Sequence, residues 1–453
     1  RACIKNLSVS RIRPRVSAIG LVDDGAGVAA AGSIVFANNA TAAGTIKVYV
    51  DSLINGKYEV AVAVGDTPTE IGDALVALIT ANLDSPVTAS NATGTVTLTA
   101  VNLGTEGNTI GLKYDLGTVT ATTVTLTAFA SGATNPVLTT LFDVIADKRY
   151  TSIVYPESWG VATLTTETES RFNVSNKVLD GLGIVCKLDT YANLNTALDA
   201  LNQKTLAEVS NKLISRAKTT GGAIFESPIV IAAQAATYRE LRITVNSNVS
   251  SITTSGKNLG GFYFGAIPYH NTPFINLPVI ESGDDFTDTE AFELENSGGW
   301  LLRNNPANTV IISNEAVTTY KTDTLGDPDI TFKYINYLDT LSIVREYFFN
   351  NYKADLSQKI LTTGQMIAGL PQINKDGYIN LSMKYYSILS GYKTNNAQYG
   401  LLRAGSAESK AFKQALLDSV VVTLSTGTIT SESIANIVTQ VRNVIVNFTP
   451  TFE

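Results

Sequence analysis

Thr309-Val310-Ile311-Ile312-Ser313, read together with the residues after it as far as Tyr352, decides how the chain is organised. The β-branched run fits a pleated, half-buried strand. Asn314 and Glu315 supply a turn and Val317-Thr318-Thr319-Tyr320 a return strand, which predicts a hairpin. Leu325-Gly326-Asp327-Pro328-Asp329 breaks the chain again, because Pro328 cannot continue a strand and Asp329 is placed to cap a helix. Phe332, Ile335, Leu338, Leu341 and Phe348 then recur on one face of that helix.

These landmarks carry a resemblance. Val317 to Tyr320, then Gly326 and Asp329, then Phe332-Lys333-Tyr334-Ile335 and Thr340-Leu341-Ser342-Ile343-Val344-Arg345 resemble the C-terminal core of contractile-tail sheath proteins of bacteriophages, the Mu type above all. The resemblance makes Thr318, Thr319, Tyr320, Gly326 and Asp329 a core motif of a structural subunit.

Composition narrows the alternatives. The chain has 453 residues, enough for roughly three domains. Its 33 Lys and Arg are outnumbered by 40 Asp and Glu and form no basic cluster, so nucleic acid is not an expected partner. No apolar run approaches the roughly 18 residues that span a bilayer, and direct membrane insertion is not expected. Arg1-Ala2-Cys3-Ile4-Lys5 begins without Met, as in a processed or partial chain. With only Cys3 and Cys186, a thiolate zinc site and a disulfide framework are excluded. His270 is the sole histidine and lies in the proline-flanked Pro268-Tyr269-His270-Asn271-Thr272-Pro273, an extended loop. With no nucleophile-elbow pattern to complete a triad, no catalytic residue, cofactor or metal ligand is assigned and no enzyme activity is expected.

The N-terminal residues 1–25 read as a leading strand of the core, Val16 to Leu21, ended by Asp23-Asp24-Gly25 as turn residues. Residues 26–135 read as an inserted β-rich domain. Ile46 to Val50 and Tyr58 to Val62 alternate around Asn55-Gly56, a hairpin signal. Thr67-Pro68-Thr69-Glu70 is a capping box with Pro at the first helical position, and Ile71, Leu75, Leu78 and Ile79 share one face of the helix it opens. Val87 to Ser90 and Thr95 to Ala100 form a second hairpin, Ile110 to Tyr114 and Thr118 to Phe129 further strands. Gly65-Asp66-Thr67 and Gly104-Thr105-Glu106-Gly107-Asn108 are similar to the inserted domain of Mu-type sheaths.

Residues 136–305 read as an α/β domain. Ser152 to Pro156, Gly183 to Cys186 and Pro228 to Ala232 are continuous apolar runs of strands buried on both faces. Leu194, Leu198, Leu201, Leu206, Val209 and Leu213 track one helix face, on which Glu208 reaches Lys212. Alternating strands and helices predict a largely parallel sheet. Asp284, Asp285, Asp288, Glu290, Glu293 and Glu295 lack calcium-loop spacing and read as a solvated face or a docking surface for basic partners. Trp300-Leu301-Leu302 re-enters the core.

Residues 306–453 read as a C-terminal α+β core. Ile367 to Pro371 reads as a helix end, Tyr378 to Met383 as a strand, Ser406 to Leu417 as a helix and Val420 to Leu424 as a strand. The last run, Ile437 to Phe448, is long, β-prone and mostly alternating. Such a strand pairs within its own domain or is donated to a neighbour's sheet. Ile437-Val438-Thr439-Gln440 resembles the terminal strand of sheath proteins, which implies donation through Ile437, Val438, Val441, Val444, Ile445, Val446 and Phe448.

The fold expected is multidomain, a central mixed α/β layer with an inserted β-rich domain and a C-terminal α+β core ending in an exchanged strand. The resemblance further implies six-fold rings of identical subunits, stacked helically around a tail tube protein. It implies baseplate and tail terminator proteins as further partners, and a place in the virion tail after assembly in the bacterial host cytoplasm. The sheath shortens and widens to drive the tube through a cell envelope, and the insert lies outside. Lys410 and Lys413 are candidates for the tube-facing surface, where opposite charge would favour them. An extended arm and further core usually precede the position of Val16 in sheaths and are not recognised here, so the inter-subunit weave differs or the chain is trimmed. Two other readings compete: an extracellular adhesin or surface-binding protein, which would explain the Thr-rich β unit, and an α/β hydrolase, which lacks an assembled acid, base and nucleophile.

Overall fold

Strict alternation of buried and exposed side chains builds the first part of the chain, as the sequence predicts. The computed structural model describes residues 16–53, 55–145, 150–171, 181–212, 222–223, 226–248, 253–254, 257–258, 269–274, 277, 279, 285–390, 402, 405–425 and 428–431. They fall into two units, one drawn from Arg1–Phe172, Asp180–Leu241 and Tyr269–Lys333, the other from Asn173–Leu179, Arg242–Pro268 and Tyr334–Glu453.

In the first unit, β1 (Ala29–Ala37), β2 (Gly44–Val50), β3 (Lys57–Val62), the helix α1 (Pro68–Ala81), β4 (Val87–Ala92), β5 (Thr95–Leu103), β6 (Leu112–Asp115) and β7 (Thr123–Ala130) form two antiparallel sheets around one apolar core. The hairpin between β2 and β3 closes where Val50 and Gly56 meet, and a Cβ on Gly56 would lie 1.8 Å from the Val50 carbonyl oxygen. Only glycine fits there. The capping box at Thr67 and Glu70 is formed, with Pro68 opening α1. Ile71, Leu75 and Ile79, one turn apart, are buried and contribute about 1.5–3 kcal/mol each, whereas Leu78, expected on the same face, is exposed. Val16 to Leu21 is irregular and not the leading strand expected, but Asp23 and Asp24 are turn residues: Asp24 Oδ1 accepts from the Ala26 N–H and Asp23 Oδ2 from the Leu103 N–H.

The rest of this unit is an α/β layer. After α2 (Thr139–Ile145), β8 (Ser152–Val154), the helix α3 (Val161–Arg171), β9 (Leu182–Asp189), the helix α4 (Tyr191–Asp199) and β10 (Leu206–Lys212) give a parallel set, as expected. The long helix read through Leu213 is two elements. Chain from Ala200 to Thr205 ends α4, and Leu206 to Lys212 enters the sheet between β9 and the later strand Gly299–Asn304. Glu208 and Lys212 are therefore four strand residues apart, about 13 Å along the backbone, and not one helical turn; Glu208 is buried. β11 (Gly222–Ala223) extends the sheet of β2, β3 and β6. Pro228 to Ala232, read as a strand, opens the helix α5 (Pro228–Asn248) instead. A short apolar run does not distinguish strand from buried helix, and Pro is tolerated in a first turn.

After the short pair β12 (Thr253–Thr254) and β13 (Lys257–Asn258), the chain returns with β14 (Pro273–Phe274), the helix α6 (Asp288–Asn296), β15 (Gly299–Asn304) and β16 (Ile311–Ser313). The sheet order is β14-β16-β15-β10-β9-β8, and Trp300, Leu301 and Leu302 are fully buried in it. The hairpin joins β15 to β16, not β16 to Val317–Tyr320 as expected. The latter stretch is no ladder strand, because successive N–H groups diverge: Thr318 donates to the Lys333 carbonyl and Thr319 to that of Leu206.

The second unit packs α7 (Ile335–Leu356), α8 (Lys375–Ser390) and α9 (Ser406–Ser419) around Val344, Tyr386, Leu389, Phe412 and Leu416. α7 begins after Tyr334, so Phe332 precedes it and Asp329 does not cap it. Ile367 to Pro371 is a turn between the parallel bridge of β17 (Ile360–Leu361) and β18 (Gln372–Ile373), not a helix end. Tyr378 to Met383 lies in α8; Tyr378, Ile379, Ser382, Tyr385, Tyr386 and Leu389 bury a helical stripe that imitates alternation over its first residues. β19 (Val421–Thr423) and β20 (Thr428–Thr430) close a small hairpin.

Candidate functional site

The loop from Thr318 to Lys333 brings the five motif residues together. Thr318 is buried, and its hydroxyl donates to the Phe332 carbonyl while its N–H closes onto Lys333. Thr319 bonds the first residue of β10, and its hydroxyl accepts from the Gln203 N–H. Tyr320 donates its hydroxyl to Asp329 Oδ2 at 2.7 Å, and its ring meets Phe332 edge-on. Burial and that bond to Asp329 push the phenol up to about 12. Bonds from Thr331 and Tyr320 hold the Asp329 carboxyl below its usual range. Gly326 takes a positive φ of 91° in a turn organised by Asp323 Oδ1, which accepts from the N–H groups of Leu325 and Asp327.

Residues that the sequence reading did not single out tie this loop to the end of α4. Asn202 accepts from the N–H groups of Lys321 and Thr322, and donates to Thr322. Lys321 Nζ donates to the Leu198 and Asp199 carbonyls, a cation placed against the negative end of a helix. Asn and Lys in a loop carry no periodic signal, so neither stands out by sequence. The motif is thus a rigid corner that joins α4, β10 and the chain leading into α7.

A second feature lies where the β-rich sheets meet the α/β layer. A cavity of about 600 Å³ is lined there by Asp51, Glu106, Tyr155, Trp159, Ser227 and Ile229 among others. Ser52 donates to Glu226 Oε2 and Ser158 to Glu106 Oε2. Burial and the neighbouring Glu226 raise Asp51 to about 7; burial first, then the charges of Asp51 and Glu157, raise Glu106 to about 7. Glu208, raised to about 7 by burial and then by Glu157, lies in β10, while Lys187 pairs with Glu157 at 3.2 Å. An acid inside the apolar run Leu206-Ala207-Glu208-Val209 was the sequence signal for this group.

Lys410 and Lys413 are exposed on α9, whose buried residues are Phe412 and Leu416. His270 is exposed in its loop, and Cys186 is a buried free thiol pushed up by burial. Glu290 closes a capping box with Thr287 at the start of α6, and Asp288 pairs with Arg303, so part of the acidic passage serves local structure. Among the described residues no group of three or more His, Cys, Asp or Glu could hold a metal ion, and no helix is long and apolar enough to cross a membrane. The terminal run from Ile437 to Phe448 lies outside the described residues.

No protein-family model matches the chain. The Mu-like prophage FluMu tail sheath protein of Haemophilus influenzae is 29% identical to it over 182 residues. Over that stretch the chain is similar to a tail sheath protein. The matched region is 39% of this chain and 37% of the Haemophilus protein, little more than a third of each. Among solved structures, the chain is similar to a sheath tail protein from Listeria innocua, at 13% identity and a TM-score of 0.32, over 73% of this chain and 64% of that one. It is also similar to a chain of the anti-feeding prophage baseplate, at 11% identity and a TM-score of 0.37, over 65% and 66%.

Proposed function

We propose that the chain is a structural subunit of a contractile tail sheath. The observation that carries this is the 29% identity over 182 residues with a tail sheath protein. In this reading six copies form a ring around a tail tube, rings stack helically, and the stack contracts to drive the tube through an envelope. Baseplate and terminator proteins bound its two ends, and it is assembled in the host cytoplasm as part of the virion tail.

The physical requirement is two packings of nearly rigid subunits, the extended one metastable and the contracted one lower in free energy. The corner at Thr318 to Lys333 suits such a subunit, because its backbone and side-chain bonds hold the motif to β10 and α4. The strand Ile437 to Phe448 is assigned to a neighbour's sheet, which keeps the array connected while other contacts exchange. Lys410 and Lys413, on the exposed face of α9, are assigned to the tube side. The work is mechanical and requires no bond chemistry. Negative-stain microscopy of the purified chain under assembly conditions tests the proposal: hollow striated tubes support it, and small uniform particles count against it.

A further inference from the structure

The boundary between the β-rich insert and the α/β layer is rich in carboxyl groups and hydroxyls. Ser52 Oγ donates to Glu226 Oε2 at 2.8 Å, and Ser227 hydrogen-bonds Asp51. On the other side of the cavity, Ser158 Oγ donates to Glu106 Oε2 at 2.7 Å, while Thr105 and Asn135 donate to the Ser158 carbonyl. The two-residue pairing of β6 with β11 is a further link. Glu106 Oε1 and Trp159 Nε1 are both buried with no partner among the described residues, and both residues line the cavity.

We propose that this boundary is a proton-operated hinge, closed while Asp51 and Glu106 hold protons and loosened when they ionise. Like charges gathered at one buried boundary repel, and a boundary with a cavity at its centre has little packing to resist them. Among the described residues, the nearby cations are engaged elsewhere. Lys187 is engaged by Glu157, and on the Ser152 side Arg239 is bonded to Thr151 and Ser152 beside Glu240. Asp23 is committed to the Leu103 N–H, and the Tyr155 phenol, pushed up to about 12, stays neutral. Among the described residues, the forces on Asp51 and Glu106 are burial and neighbouring acids, opposed by the hydroxyls of Ser227, Ser158 and Thr109, and both are raised to about 7. This inference concerns movement of the insert and stands independently of the sheath reading.

The chain's two tryptophans make the test direct. Trp300 is fully buried and bonded to Ser313, whereas Trp159 borders the cavity, so collisional quenching by acrylamide reports on Trp159. The native full chain should show quenching that rises about two-fold between about pH 5.5 and about pH 8.5, with a midpoint near 7 and unchanged far-ultraviolet dichroism. Asp51→Asn combined with Glu106→Gln should remain at the low-pH level throughout; Asn also accepts the positive φ of 65° at position 51. Glu208→Gln, which removes an acid from β10 and not from the cavity wall, should leave the rise intact. Should the double variant not fold, Asp51→Asn alone is read and must shift or shrink the transition. Flat quenching in the native chain, an unchanged rise in the folded Asp51 variants, or loss of the rise in Glu208→Gln would overturn the hinge.

Discussion

The hydroxyl of Tyr320 donates to Oδ2 of Asp329 across 2.7 Å, and that bond ties together the two ends of the loop the chain is organised around. Removing it should loosen the corner without unfolding the sheet. Tyr320→Phe keeps the ring against Phe332 and is expected to cost about 1.5–3 kcal/mol, the range for a bond to a charged acceptor, by urea unfolding. Asp329 is held below its usual range, so its contribution is present above the unfolded pKa and is lost as pH falls through the folded one. The cost of Tyr320→Phe should therefore shrink in acid.

Gly298 sets how closely the same loop approaches. Its φ is 92°, and an added Cβ would lie 2.8 Å from the Thr319 Cα. Gly298→Ala combines a left-handed strain with a backbone clash and should destabilise by roughly 2–4 kcal/mol, measured as a fall in Tm.

Residues alone are readable where local rules and tertiary packing agree. The hairpin at Asn55-Gly56 and the helix start at Thr67-Pro68-Thr69-Glu70 stand as predicted, because turn and cap chemistry act within a few residues. Pro228 to Ala232 and Tyr378 to Met383 read as strands and fold as helices, since their apolar spacing over five or six residues suits both. Leu206 to Lys212 differs in the opposite sense: apolar residues at helical spacing enter a central strand that is buried from both sides. The five motif residues are singled out by resemblance alone, while Asn202 and Lys321, which tie their loop to α4, are visible only with the fold.

Glu208 predicts a pH dependence of stability. Its carboxyl is raised from 4.5 to about 7, so the folded state holds its proton more tightly than the unfolded chain does. The associated stability is fully present below pH 4.5 and is lost as pH rises through about 7. Glu208→Gln removes this titration and should flatten the fall in unfolding free energy over that window by up to about 3 kcal/mol. Equal slopes in the two proteins would show that the acid is relieved by its surroundings.

Thr67 tests the insert on its own terms. Its hydroxyl accepts from the Glu70 N–H, and the Glu70 carboxylate accepts from the Thr67 N–H. Thr67→Ala breaks the box and should cost about 1 kcal/mol in thermal unfolding, with Thr67→Asp recovering most of it.

The central claim is that the terminal strand joins one copy to the next. The most direct measurement compares the full chain with one ending at Ser431, which keeps the bond between Tyr378 and Ser431, by sedimentation and negative-stain microscopy. The account predicts striated tubes from the full chain, and from the shortened chain a folded monomer that forms none. Tubes of normal length from the shortened chain would contradict it.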